Sequence, residues 1–213
     1  MSALYDYPPA TAFGRTIPKD RFAKQRAAFR DQVTRIVWAH KLAPVTLNIP
    51  AGKAVTEVQM IEVHLRVPDI DSALLRTIDR AIPFPLFFEL VDGPRRRVAA
   101  AHKRPSEADS AKWVTGDLLW SDWVEEGACR VPLPTAIDMD RLYERMLGAL
   151  VPERRAEEGI EDSLARKATL EAKEREIGRL ESRLKREKQF NRKVELHGEL
   201  REAQTAYNHL KEN

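Results

Sequence analysis

The clearest hydrophobic pattern lies in the last quarter of the chain. From about Ile160 to Leu210 most positions are charged or polar, proline is absent, and apolar residues recur at helical spacing. Leu170, Ile177 and Leu184 fall seven apart, with Leu180 between the last two. This is the a/d pattern of a helix that packs against another helix. The phase then breaks. Leu196, Leu200, Ala203, Tyr207 and Leu210 form a second stripe that does not continue the first. The polar run Lys185 to Lys193 separates the two. One long helix with a stutter would reach about 75 Å at 1.5 Å per residue. A helical hairpin is the alternative, and Gly198 together with the polar run favours a break. A helix this charged is marginal alone and needs a partner surface.

Upstream, residues 1–15 read as an extended N-terminal arm containing Pro8, Pro9 and Gly14, which Tyr5, Tyr7 and Phe13 can pin. A helix is expected from Lys19–Asp20, just after Pro18, to near His40. Phe22, Phe29, Val33, Ile36 and Val37 would form its apolar face. Val45 to Ile49 is short and apolar, and Pro50-Ala51-Gly52-Lys53 is a turn. Residues 56–66 alternate as a half-buried strand, with a slip that suggests a bulge. Asp69 or Asp71 can cap a helix carrying Leu74, Leu75 and Ile78. Leu86 to Val91 reads as a central strand, Asp92-Gly93-Pro94 as a turn, and Arg95–His102 and Lys112–Trp120 as two further strands. A last body helix spans Ile137 to Leu150 and stops at Pro152. The fold expected is α+β: a mixed or antiparallel sheet with helices packed on one face, followed by a C-terminal coiled-coil or hairpin arm. The divisions are 1–15, a globular domain over 16–152, and a charged helical arm over 153–213.

Composition adds little to this and excludes much. Hydrophobic residues make up 43% of the 213, enough for a core, and charged residues 32%. The formal net charge is only +3, so local clusters matter more than the total. Cys129 is the single cysteine, which rules out an internal disulfide or a cysteine-built zinc site and suits a reducing compartment. No apolar run approaches the roughly 20 residues of a membrane span, and no secretory signal is visible at the N-terminus. A cytoplasmic protein without membrane contact is expected.

Catalytic motifs are hard to find. His40, His64, His102, His197 and His209 make no metal-ligand spacing, and no metal or other cofactor is expected. Glu62 and His64 would share one side of a strand, as a solvated or cross-strand pair. A metal-dependent nuclease needs paired carboxylates beside a lysine, commonly as Asp/Glu-x-Lys. Glu57, Glu62 and Glu89 fall on predicted strands without a lysine two residues on. Gly52-Lys53 lacks the rest of a phosphate loop, and Cys129 has no nearby histidine and reads as a small packing residue.

Basic clusters remain. Arg95, Arg96 and Arg97 follow a hairpin turn, with Lys103 further on. A second cluster holds Arg183, Lys185, Arg186, Lys188, Arg192 and Lys193, with Gln189, Phe190 and Asn191 among them. Such clusters neutralise phosphates regardless of base sequence.

Four segments carry a resemblance. They are Lys41-Leu42-Ala43-Pro44 with Thr46-Leu47-Asn48-Ile49, Val55 to Met60, Ile78 to Pro83, and Glu187-Lys188-Gln189-Phe190-Asn191-Arg192-Lys193-Val194-Glu195-Leu196. In these the chain resembles a bacterial family known as domain-of-unknown-function family 4391, over about Phe13 to Leu210. His197 stands where that family usually has a second asparagine after the leucine. The resemblance supplies no catalytic residues. It implies genes for helicases and DNA methylases as neighbours, and so an accessory role in a restriction or phage-defence system. The expectation is a non-enzymatic interaction subunit that binds a larger partner, a helicase or DNA methylase, with DNA as a candidate second ligand. A divergent nuclease and a self-associating structural protein, dimeric through its C-terminal helix, are the alternatives.

Overall fold

The computed structural model describes residues 3–106, 108–109, 112–151, 154–155 and 158–212. The chain forms two compact units, Met1–Pro152 and Glu153–Asn213.

The first unit is built on a mixed sheet in the order β2-β3-β4-β5-β6-β7, with the short β8 (Val124–Glu125) beside the start of β6. β2 (Ala12–Thr16), β3 (Val33–Leu42) and β4 (Val58–Leu65) run antiparallel in turn. β4 and β5 (Leu86–Asp92) are parallel, and a parallel pair needs a crossover between its strands. Helix α3 (Ser72–Ala81) supplies it, and the Asp71 carboxylate caps that helix by accepting the Ala73 N–H at 2.8 Å. β6 (Arg95–Pro105) and β7 (Trp113–Trp120) then pair antiparallel. The turn between β5 and β6 needs a left-handed residue, and Gly93 adopts φ +54° there.

Strand alternation sorts the side chains onto two faces. Ile61, Val63, Phe88 and Leu90 meet Leu74, Leu75 and Ile78 of α3 and Phe29 of α1 (Arg26–Gln32) in the main core. The other face is covered too, although helices were expected on one face alone. Phe87 packs edge-on against Tyr143 of α4 (Met139–Gly148), with ring centroids 6.1 Å apart. The Tyr143 hydroxyl accepts the Lys103 N–H at 2.7 Å and donates to the Ala101 carbonyl at 3.1 Å. The β6–β7 register slips between Ala101 and Lys103, so this hydroxyl satisfies ladder groups that the bulge leaves over. The same face carries a two-stranded parallel ribbon, β1 (Tyr5–Asp6) with β9 (Val131–Pro132).

The helix expected over residues 19–40 is a correction. Only Arg26–Gln32 is α-helical, and Val33–Leu42 is a strand of the sheet. Val33 and Ile36 are both fully buried because the β3–β4 register shifts between Val33 and Arg35. The bulge converts a period of two into an apparent helical spacing of three. Val33, Thr34, Ile36 and Val37 are β-branched, which favours the strand. Val45 to Leu47, in turn, belong to a short helix, α2 (Pro44–Leu47).

A polar clamp fixes α4. The backbone N–H groups of Lys53 and Val55 donate to the Asp140 carboxylate, each at 2.7 Å. Gly52 allows this approach, since a Cβ there would lie 2.2 Å from Asp140 Oδ1. Gly52→Ala is therefore expected to lower the urea midpoint of the body by the equivalent of about 1–3 kcal/mol, the usual cost of overpacking.

The second unit is a hairpin of two helices, α5 (Ile160–Arg186) and α6 (Phe190–Glu212). Leu180, Leu196 and Ala203 are buried together, with Ile177, Leu184 and Leu200 packed around them. The helices run antiparallel, because the Tyr207 hydroxyl donates to Glu174 at 2.6 Å and Arg183 faces Glu199 at 3.9 Å. The two stripes seen in the sequence are thus the two sides of one seam. Leu170 and Leu210 are half-buried. Near the start of the unit, Arg166 holds Glu158 through two hydrogen bonds of 2.9 and 2.8 Å. These bonds are the main reason its carboxyl falls from 4.5 to about 2. A depressed carboxyl stabilises the fold above its unfolded value and loses that contribution as pH falls through its folded value. The helical signal should accordingly weaken between pH 4.5 and about 2, with less of a step in that window in Arg166→Ala, as circular dichroism would show.

Candidate nucleic-acid interface

The turn that closes the hairpin concentrates charge. Residues 183–193 hold six cations against one acid, Glu187. The Glu187 carboxylate accepts the N–H groups of Lys188 at 2.7 Å and Gln189 at 2.9 Å. Such local bonds compete with helix continuation, which is why the chain breaks at this point. The same two N–H groups hold the Glu187 carboxyl below its ordinary value. Arg192 pairs with Glu195 at 2.9 Å. Lys185, Arg186, Lys188 and Lys193 are exposed and have no ion-pair partner among the described residues.

The placement of these cations is informative. Arg183, Lys185 and Arg186 sit in the last turn of α5, where the helix dipole favours them. Lys188 just precedes α6, and Arg192 and Lys193 lie in its first turn, where the dipole opposes them; that turn holds no acid, and Arg192 alone is offset, by Glu195. Helix stability does not account for that second group. Phe190 stands among them 78% exposed, and Val194, one turn on, is 56% exposed. The hairpin therefore brings the cations of two helices to one end, around an exposed aromatic ring.

The cluster at the β5–β6 hairpin has a different fate. Arg95 pairs with Asp92 and lies over the Trp123 ring, 5.1 Å from its centre. Arg97 lies 4.7 Å from the centre of Trp120 and donates to the Ser121 carbonyl at 2.8 Å. Arg96 points to the opposite face, pairing with Glu126 and approaching Glu89 at 3.6 Å. Their charges and planes are already engaged inside the body. Lys103 is buried, 3% exposed, with Nζ 3.1 Å from Asp79 Oδ1. It cannot reach a phosphate and leaves the contact set.

One polar cluster lies on the sheet face opposite α3. Glu62 and Glu89 are register partners on β4 and β5. Arg130 grips Glu89 with both terminal nitrogens and also donates to the Tyr5 carbonyl at 3.1 Å. The Glu89 hydrogen bonds hold the Arg130 guanidinium above its ordinary value. His64 lies 3.2 Å from Glu62 and 3.1 Å from Arg35. Tyr7 stacks on His40 at 4.5 Å, and burial pushes the Tyr7 hydroxyl up and His40 down. Glu57 is apart, paired with Lys41 at 2.5 Å. Two of the three carboxylates weighed for a nuclease thus converge, but beside arginines rather than a lysine. No group of three or more His, Cys, Asp or Glu suited to a metal occurs among the described residues. Glu89 is the one charge among the buried residues Leu86 to Val91 of β5, a signal available in the sequence. Arg130 carries no such signal. Cys129 is exposed, not packed.

A family model described as a domain of unknown function, DUF4391, matches residues 5–206. The chain belongs to this family. The DUF4391 match runs through the sheet, both hairpin helices and the basic turn, so the arm lies within the family's domain rather than beside it. No curated protein and no solved structure gives a significant match. No helix among the described residues is long and apolar enough to cross a membrane.

Proposed function

We propose that this DUF4391 protein is a non-enzymatic interaction subunit of a bacterial, cytoplasmic, DNA-directed defence or restriction-type assembly. The body docks a larger protein, a helicase or DNA methylase, and the arm contacts nucleic acid. The observation that carries the nucleic-acid part is the hairpin turn, where Lys185, Arg186, Lys188 and Lys193, exposed and without an ion-pair partner among the described residues, gather near Phe190 in the chain. Cations of this kind displace counterions from phosphates, so affinity falls steeply with salt. The partner's identity rests on the family's expected gene neighbours, and co-purification with mass analysis from the native host tests it.

Reversing Arg186, Lys188, Arg192 and Lys193 to glutamate should abolish salt-dependent binding of labelled oligonucleotides in fluorescence anisotropy. Neutralising four phosphates on a single strand corresponds to a slope of about −3 in log K against log salt. Binding unchanged by the reversal would remove this surface from the proposal.

The nuclease reading has one observation in its favour, the convergence of Glu62 and Glu89. It predicts divalent-ion-dependent DNA cleavage that Glu62→Gln eliminates. Self-association has less support. The apolar stripe of the arm is buried within a single chain, so a second copy is not needed to cover it.

A further inference from the structure

We infer that the hairpin turn recognises unpaired nucleic-acid strand, with a base stacked on Phe190 and the neighbouring cations on the flanking phosphates. The inference rests on the reading of the turn as a nucleic-acid interface and adds the class of ligand. Of the seven phenylalanines, Phe190 is the one that is largely exposed. It takes no part in the apolar seam of the hairpin. Its immediate neighbours Gln189 and Asn191 offer amide donors and acceptors, and Lys188 and Arg192 lie just beyond them. An aromatic face between cations is the arrangement that holds single strands, because every base has a face to stack and every linkage has a phosphate.

Geometry disfavours the duplex. The major groove is about 12 Å wide and admits one helix of about 10–12 Å diameter. Here two helices arrive side by side at the turn, so the end of the hairpin is too broad to seat in that groove. A base inside a duplex also has both faces covered by its neighbours. Phosphates of a duplex remain within reach of the lysines, but Phe190 would have nothing to stack on. The charge of the turn favours a polyanion over an apolar protein surface as the occupant.

The test uses the full chain and three fluorescent probes of about 20 nucleotides: oligo-dT, oligo-U and a mixed-sequence duplex. Tighter binding of either single strand than of the duplex, by about tenfold or more, is expected. Phe190→Ala should weaken single-strand binding by about 5- to 150-fold, the range for loss of one stacked base, and leave duplex binding unchanged. Phe190→Trp should keep single-strand binding and show emission quenched by the oligonucleotide. Equal affinity for all probes with no effect of Phe190→Ala would overturn the stacking claim and leave the electrostatic interface standing. No binding to any probe would overturn both. The site is solvent-exposed, so these substitutions leave the hairpin seam intact.

Discussion

Lys103→Met is expected to destabilise the body by about 3–5 kcal/mol, the usual result of removing one partner from a buried ion pair. Both Lys103 and Asp79 are almost fully buried. The ammonium donates to the carbonyls of Asp79 at 2.7 Å, Ile82 at 3.0 Å and Phe84 at 3.1 Å. Its three hydrogens are thus directed at the backbone, while the Asp79 carboxylate, with Oδ1 3.1 Å from Nζ, accompanies it as the buried countercharge. Burial pushes the Asp79 carboxyl up and the Lys103 ammonium down, each partly restrained by the other. Methionine fills the space of the stem but leaves three carbonyls without donors and one carboxylate without a countercharge. The cost should therefore exceed that of Asp79→Asn, in which the carbonyl contacts survive. Urea unfolding followed by tryptophan emission measures both. A Lys103→Met midpoint matching the parent would mean that the pair is not buried as described. The position matters because Lys103 ties β6 to the end of α3 and the chain entering β5, the strand that carries Glu89.

Leu196→Asp is expected to unfold the arm while the body stays folded. Among the described residues the buried seam consists of Leu180, Leu196 and Ala203, so the hairpin has little margin. Truncating a buried leucine alone costs about 2–5 kcal/mol, and a carboxylate in its place costs more. All four tryptophans, Trp38, Trp113, Trp120 and Trp123, lie in the first unit, so their emission reports on the body alone. The variant should lose ellipticity at 222 nm and gain protease cleavage after residue 160, with tryptophan emission unchanged. It should also lose nucleic-acid binding, since the cations of α5 and α6 would no longer share one end. Parental ellipticity in Leu196→Asp would show that the helices do not depend on this seam.

The candidate interface was legible before the fold for a local reason. A charged run that interrupts two apolar stripes marks both a break in a helix and a surface that the core does not need. Phe190 inside that run was the further clue. The arginines at 95–97 show the limit of the same reasoning. As a triplet they look like Lys185 to Lys193, yet strand alternation sends Arg95 and Arg97 to tryptophans and Arg96 to carboxylates. Those partners come from β5, β7 and the loop after it, and charge density along the chain carries no trace of them.

Periodicity and turn chemistry alone determined the α3 cap, the buried β5, the β5–β6 turn, the final body helix and the two apolar stripes of the arm. Each of these depends on residues within a few positions of one another, where backbone geometry sets the spacing. Tertiary structure decided that Val33–Leu42 is a strand, that Lys103 is interior, that Glu62 and Glu89 stand in register with Arg130 on Glu89, and that the arm doubles back. In each case the deciding contacts join residues about 16 to 41 positions apart. A bulge can mimic a helical period, and a charge can be buried or solvated with the same neighbours in sequence; only the partner across the fold distinguishes the two.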